Sequence, residues 1–207
     1  MCQRCKSIII MIKVANPDKL QNCIDYVYNK YNLIDHYEYD IDKNEKNFCS
    51  GYGEILLPGI LKLIENIDIT SDDVFLDLGS GLGKLCISFL LLTRIKHSIG
   101  IELEKNRYNI SCLARKKFMP YIANRRLDFY NYNIVDYDLT KANIIYIGSL
   151  CFSDKLLKII SDKINHHSSI KYVITFNKLP DTYLKLMKEL IIPCSWKNDE
   201  ILYIYEK

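Results

Sequence analysis

The chain has 207 residues, of which 49% are hydrophobic and 26% charged, so it can pack one ordinary domain and is not globally disordered. Its net charge of +3 is too small to indicate nucleic-acid binding by charge alone. No apolar run approaches the ~20 residues of a membrane span, so we expect no membrane association. The eight cysteines include several inside apolar runs, which is typical of free thiols in an intracellular protein of the nucleus or cytoplasm.

The first fifty residues predict a helical segment and a linker. Apolar residues recur at helical spacing over 17–31, and the polar, acidic stretch 35–50 reads as a loop. Cys2 and Cys5 have the spacing of a zinc-ligand pair, but no second pair follows, and we expect no metal.

Residues 51–207 are predicted to form the main domain. A helix within 51–69, interrupted near Pro58, leads into it, and short apolar runs then alternate with helical segments. Such alternation indicates parallel strands joined by crossover helices. The predicted strands cover 74–78, 98–102, 127–132, 143–148 and 171–176, and the predicted helices cover 83–93, 105–117, 153–165 and 181–190.

The end of the chain departs from this alternation. The runs "IIPCSW" and "EILYIYE", joined by "KNDE", predict an antiparallel hairpin. We therefore expect an α/β, doubly wound, seven-stranded and mostly parallel sheet that an antiparallel hairpin closes. This is the arrangement of class I methyltransferases.

The stretch "DLGSGLG" predicts a ligand-binding turn between the first strand and its helix. Gly79, Gly81 and Gly83 alternate as G-x-G-x-G, which is neither the dinucleotide fingerprint G-x-G-x-x-G nor a phosphate loop, since Lys84 is not part of a G-K-[ST] triplet. Asp77 precedes the glycines, and a carboxylate there would repel a pyrophosphate. It would attract the positively charged amino-acid end of S-adenosylmethionine, while the glycines let the backbone approach the ligand.

Glu102 supplies a second acid at the end of the next predicted strand. At that position a carboxylate can accept hydrogen bonds from both hydroxyls of a ribose. Asp77 and Glu102 on successive strand ends therefore favour S-adenosylmethionine. A tight turn without a ligand, and an NAD site, remain the alternatives.

Four further residues are candidates for contacts with this cofactor. Tyr52 and Glu54, in "GYGE", could line its methionine end, where an aromatic face favours a sulfonium cation; the alternative is a helix cap with a core tyrosine. Asn133 and Ile134, which follow the third strand, could meet the adenine; the alternative is a solvated loop.

Three residues are candidates for the catalytic side of the site. Ser149 follows the fourth strand in "IYIGSLCF", which lacks the Asn- or Asp-Pro-Pro-aromatic set of enzymes that methylate amino groups of nucleic-acid bases. Ser149 could lie beside the transferred methyl, or it could be an ordinary turn residue. Trp196 and Tyr203 could wall a channel for an aliphatic amine, and core packing is the alternative for each.

These segments together resemble the non-SET histone lysine methyltransferases of the disruptor of telomeric silencing type, from about Gly51 to Tyr205. The resemblance depends on Y-G-E, "DDVFLDLGSGLGK", "GIELE", "IYIGSLCF" and Ser-Trp with a tyrosine seven residues after the tryptophan. It implies a class I methyltransferase that transfers a methyl group from S-adenosylmethionine to a lysine ε-amine, in the best-known members on a core histone. By position it implies cofactor contacts from Tyr52, Asp77, Gly79 and Glu102 and a lysine channel from Trp196 and Tyr203.

The chain departs from the family pattern at two places. Lys84 stands after the glycine loop where well-known members place Gln, and we assign it to the cofactor site. Gly148, Ser149 and Leu150 stand where those members place Asn-Asn-Phe. The chain also lacks the long basic extension that some members use for DNA, so nucleosome binding is less secure than methyl transfer. The expected partner is a protein substrate, a histone or nucleosome, and DNA contact is weakly supported. A non-histone lysine, a nucleic acid, a small molecule or a catalytically inactive binding module are the rival interpretations.

Overall fold

The computed structural model describes residues 24, 25, 28, 29, 52–122 and 124–207. The first four are helical, in agreement with the helix predicted over 17–31. The rest of that helix, the linker predicted over 35–50, and Cys2 and Cys5 lie outside the described residues.

Residues 52–122 and 124–207 contain eleven described elements, four α-helices and seven strands. Most of them coincide with the predicted elements within two residues. The helices are α1 Leu57–Glu65, α2 Lys84–Leu92, α3 Lys105–Phe118 and α4 Asp154–Asn165. The strands are β1 Val74–Leu78, β2 His97–Glu102, β3 Arg126–Asn131, β4 Ile144–Ile147, β5 Tyr172–Thr175, β6 Lys185–Ile192 and β7 Glu200–Glu206.

The seven strands form one sheet in the order β3-β2-β1-β4-β5-β7-β6. The five strands β1 to β5 are parallel, and β7 lies antiparallel between β5 and β6. This confirms the predicted fold class. Because the carboxyl ends of β1, β2, β4 and β5 meet at one edge of the sheet, the residues that follow them are brought together there.

An apolar core covers each face of the sheet. One contains side chains of α1, α2 and α3 together with Ile24 and Tyr28. The other contains side chains of α4. Helices on both faces explain why β1 and β4 are almost wholly buried. No helix among the described residues is long and apolar enough to cross a membrane.

The helix predicted within 51–69 is shorter than expected. The helix begins at Leu57, and Pro58 lies in its first turn. The N–H groups of a first turn have no partner within the helix, so a proline there costs no hydrogen bond and does not interrupt the helix. The residues before it are extended: Ile55 bridges Cys194, and the Leu56 N–H donates to the carbonyl of Pro193 over 3.1 Å.

The prediction of a helix over 181–190 is wrong, because residues 185–192 form strand β6. Lys, Leu, Met and Glu there are good helix formers, but pairing with β7 overrides this weak local preference. The hairpin is confirmed, although its first strand lies earlier in the chain than "IIPCSW".

Candidate functional site

The glycine loop turns the chain sharply from β1 into α2. Gly79 and Gly81 have φ angles of +95° and +53°, which side chains other than glycine rarely adopt. The N–H groups of Gly79 and Ser80 both donate to the carbonyl of Ile101 over 2.9 Å, which holds the loop against the end of β2. A Cβ atom on Gly81 would lie 2.6 Å from Cε2 of Tyr52, so the loop backbone is in close contact with that ring.

Asp77 and Glu102 lie together beside this loop. Both are almost completely buried, at 2% and 6% exposure. Glu102 accepts hydrogen bonds from the N–H groups of Gly81 over 2.7 Å and Glu104 over 2.8 Å. Asp77 Oδ1 has no hydrogen-bond partner in the described part of the chain, and neither has the hydroxyl of Ser80.

The burial of two acids side by side would favour the binding of a cationic ligand. Burial, and then the charge of Glu102, raise the pKa of Asp77 well above its ordinary value. Burial also raises the pKa of Glu102, against the opposing effect of its two backbone hydrogen bonds. A cation that donates hydrogen bonds to Asp77 would remove both the desolvation cost and the repulsion.

The Y-G-E segment reaches this site from the other side. The Tyr52 hydroxyl donates to one carboxylate oxygen of Glu54, and Lys84 Nζ lies 2.9 Å from the other. The Glu54 N–H donates to the Ser195 hydroxyl over 3.0 Å, and the Ser195 N–H donates to the Glu54 carbonyl over 2.8 Å. The loop before β7 therefore holds the Y-G-E segment in place.

Three aromatic rings form a continuous row at the site. Trp196 packs edge-on against Phe176, with the ring centres 5.4 Å apart. Phe176 packs edge-on against Tyr146, with the ring centres 6.2 Å apart. Trp196 remains 42% exposed and its indole N–H donates to Glu200 over 3.0 Å, so the row runs from the protein surface to the buried end of β4.

Asp77, Glu102, the glycine loop, the Y-G-E segment and the aromatic row all contribute to the lining of one cavity of about 460 Å³. Most of the residues predicted from the sequence are among its lining. They are Tyr52, Glu54, Asp77, Gly79, Gly81, Lys84, Glu102, Asn133, Ile134 and Trp196.

Three predicted residues do not line the cavity. Gly83 caps α2, and a Cβ atom on it would collide with the ring of Phe129, so this glycine allows close packing of the helix. Ser149 is fully buried; its hydroxyl lies 2.8 Å from that of Thr175 and accepts the N–H of Asn177 over 2.8 Å. It holds the ends of β4 and β5 together beneath the cavity.

Tyr203 lies on the other face of the sheet. It pairs with Thr175 across β5 and β7 and packs at the border of the α4 core, whereas Tyr146 and Phe176 belong to the opposite core. Lys178 Nζ lies 5.3 Å from its ring centre. The structure therefore does not bring Tyr203 to Trp196 in a channel.

Arg107, Tyr146 and Phe176 are among the lining residues that sequence reasoning missed. Arg107 is 6% exposed on the first turn of α3, and its guanidinium carbon lies 5.4 Å from the ring centre of Tyr52. The position of Arg107 shortly after Glu102, the acid at the end of β2, was a sequence signal that could have identified it as a site residue. Tyr146 and Phe176 lie within or beside apolar strands, so their sequence context resembles that of core residues.

Comparison with known proteins shows the family to which the chain belongs. Residues 31–188 match the family model described as "Histone methylation protein DOT1". The chain belongs to the DOT1 family. This confirms the resemblance that the motifs indicated.

Two relatives and one solved structure show how far the similarity reaches. Relatives named "Histone-lysine N-methyltransferase, H3 lysine-79 specific" are 31% identical over 57% of this chain (Caenorhabditis elegans) and 33% identical over 46% (Chaetomium globosum). The matches cover 14% and 18% of those relatives, so the chain corresponds to a small part of their length. An RNA methyltransferase from Salinibacter ruber, solved with S-adenosyl-L-homocysteine, superposes with a TM-score of 0.56 at 14% identity over 72% of this chain and 90% of its own. This is a likeness of fold.

Proposed function

We propose that this chain is an S-adenosylmethionine-dependent protein lysine N-methyltransferase whose substrate is a core histone in the nucleosome. The observation that carries the proposal is the buried, unpartnered oxygen of Asp77 beside Glu102 in a cavity that an aromatic row borders. Membership of the DOT1 family and the names of the relatives support the reaction and the substrate class.

The residues of the cavity fit the cofactor. Asp77 would accept hydrogen bonds from the cofactor's ammonium group, which supplies the missing donor. Glu102 uses one lone pair of each oxygen on backbone N–H groups, so each oxygen retains acceptor capacity for a ribose hydroxyl. Asn133 and Ile134 lie on the lining where they would contact the adenine, and Tyr52 would cover the cofactor next to Gly81.

The cofactor supplies an electrophilic methyl group, and the protein must supply a neutral amine. Holding a lysine of reference pKa ~10.4 neutral at pH 7 costs about 4.6 kcal/mol. The row of Trp196, Phe176 and Tyr146 lowers this cost, since a desolvated amine beside a sulfonium has a lower pKa. With the cofactor held by Asp77 and Glu102, the lone pair of the amine would take up the methyl group as the bonding pair leaves with the sulfur, and the methylated product would lose its extra proton to water.

A histone substrate also indicates where the chain acts. The relatives are named for a lysine of histone H3, and we propose the corresponding class of core-histone lysine as the substrate here. Nucleosomes place the reaction inside the cell and, in a nucleated cell, in the nucleus. DNA contact has weak support, because the chain carries a net charge of only +3.

Incubation with methyl-labelled cofactor and separate pools of nucleosomes, free histones and total RNA tests the proposal. We expect label on a histone lysine that increases with enzyme concentration and disappears with Asp77→Asn. Label on RNA alone, or no label above the Asp77→Asn background, would contradict it. Label confined to non-histone proteins in a whole-cell extract would keep the chemistry and overturn the substrate.

A further inference from the structure

The hydroxyl of Tyr146 is a polar group in the aromatic row that the site described so far leaves unused. Tyr146 lies on β4 directly beside Asp77 of β1 and is 7% exposed. It lines the cavity, and no hydrogen bond joins its hydroxyl to another of the residues that the structure describes. A phenol whose oxygen opens onto a cavity can find its partner there, so a group of the bound ligand is the expected partner.

Gly148 leaves this hydroxyl open to the cavity. A Cβ atom on Gly148 would have the Cε1 and hydroxyl oxygen of Tyr146 as its nearest neighbours, both at 3.9 Å. The φ angle of Gly148 is −72°, which any residue can adopt, so backbone strain does not require glycine here. The missing side chain, and not a special conformation, is what distinguishes this position from the Asn of the family pattern.

The same surroundings determine what this hydroxyl can do. Burial, and then the charge of Asp77, raise the pKa of Tyr146 well above its ordinary value. The phenol therefore stays protonated at neutral pH and cannot act as a general base. Its oxygen can still accept a hydrogen bond from an amine N–H.

We propose that the Tyr146 hydroxyl, uncovered by Gly148, accepts a hydrogen bond from the N–H of the neutral substrate lysine and orients its lone pair for methyl transfer. This inference rests on the proposed function and names the residue that meets the amine. A neutral lysine amine has two N–H donors, a monomethylated one has a single donor and a dimethylated one has none. Tyr146 therefore assists the first two transfers and contributes nothing to the third.

Tyr146→Phe tests this inference with nucleosomes whose target lysine is unmodified or already dimethylated. We expect kcat/KM to fall about tenfold on unmodified nucleosomes and to stay unchanged on dimethylated ones. Calorimetry should show unchanged affinity for S-adenosylmethionine. The matched control is Tyr205→Phe, since Tyr205 is equally buried but its hydroxyl accepts the N–H of Leu179 away from the cavity; it should leave both rates unchanged.

Gly148→Ala provides a second variant that keeps the phenol and covers it. If Gly148→Ala acts by covering the hydroxyl, the single variant should lower kcat/KM on unmodified nucleosomes and leave it unchanged on dimethylated ones. The double variant with Tyr146→Phe should then lose no more activity than Tyr146→Phe does. Equal losses on both substrates, or additive losses in the double variant, would overturn the inference. Weaker cofactor binding by Tyr146→Phe would place the hydroxyl on the cofactor and overturn it too. An inactive wild type that binds no cofactor would instead contradict the proposed function.

Discussion

The indole ring of Trp196 occupies the space that a side chain on Gly53 would need. Gly53 is the middle residue of Y-G-E, so two motifs 143 residues apart in sequence meet in direct contact (196 minus 53). Ser195 adds two hydrogen bonds with Glu54. The tryptophan therefore borders the cavity and also supports the segment that covers the glycine loop.

Trp196→Ala should reduce turnover about 100-fold, because the aromatic row proposed to receive the substrate amine loses its outer ring and the substrate is misplaced. Cofactor affinity should change little, since the contacts of the indole are with Phe176, Glu200 and Gly53, away from the two acids proposed to bind the cofactor. Trp196→Phe is the matched control and should retain most activity, because a ring still packs against Phe176. Single-turnover rates and calorimetry separate the two effects. Equal loss of turnover and affinity would mean that Trp196 acts only through its support of Gly53.

Asp77→Asn should abolish cofactor binding and stabilise the cofactor-free protein. The carboxylate is buried beside Glu102 with one unpartnered oxygen, and a neutral amide avoids both the desolvation of the charge and its repulsion by Glu102, which we expect to raise the free energy of unfolding. The control is Asp73→Asn: Asp73 is also buried, but it accepts hydrogen bonds from Thr70, Asn143 and Lys171, so this change should destabilise. Urea unfolding and calorimetry check both. A lower stability for Asp77→Asn would contradict the electrostatic account.

Cofactor affinity should weaken as the pH falls, beginning above the range of an ordinary aspartate near ~3.9. Burial raises the pKa of Asp77 and of Glu102, so both are protonated at a higher pH than ordinary carboxyl groups. Once protonated, they attract the ammonium group and the ribose hydroxyls less strongly. Stability of the cofactor-free protein should change in the opposite direction. Between the unfolded and folded pKa values the native state holds more protons, so stability falls as the pH rises through that window. Calorimetry and urea unfolding from about pH 5 to pH 8 test both trends, and Asp77→Asn should flatten the stability trend.

Lys84→Met should loosen the cover of the site. Lys84 Nζ lies 2.9 Å from Glu54, 3.8 Å from Asp25 and 5.0 Å from the ring centre of Tyr28, and the pair with Glu54 is largely shielded from solvent. Losing this charge leaves two carboxylates without their shared cation and should cost about 1–3 kcal/mol of stability. Lys84→Gln restores a hydrogen-bond donor at the position and should recover part of the loss. Thermal unfolding and cofactor affinity report the result; identical behaviour of both variants would mean that donation to Glu54 is unimportant.

The meeting of Asp77, the glycine loop and Glu102 at one cavity was largely predictable from the sequence. Asp77 and Glu102 end strands whose apolar runs are unmistakable, and parallel strands bring their carboxyl ends to one edge. The residues expected on the substrate side of the cavity were less predictable. Ser149 follows β4 at the expected place, but its hydroxyl turns inward to Thr175, and no local pattern records which way a side chain in a tight turn points.

By itself the sequence determined the alternation of strands and helices, the family, and the acids at the strand ends, because hydrophobic period and glycine spacing are local properties. Only the tertiary structure decided that residues 185–192 pair as a strand, that Tyr203 faces the α4 core, and that Trp196 meets Gly53. It also decided that Tyr146 opens onto the cavity through Gly148. Each of these depends on contacts between distant segments, whose energies outweigh local preference and leave no periodic trace in the chain.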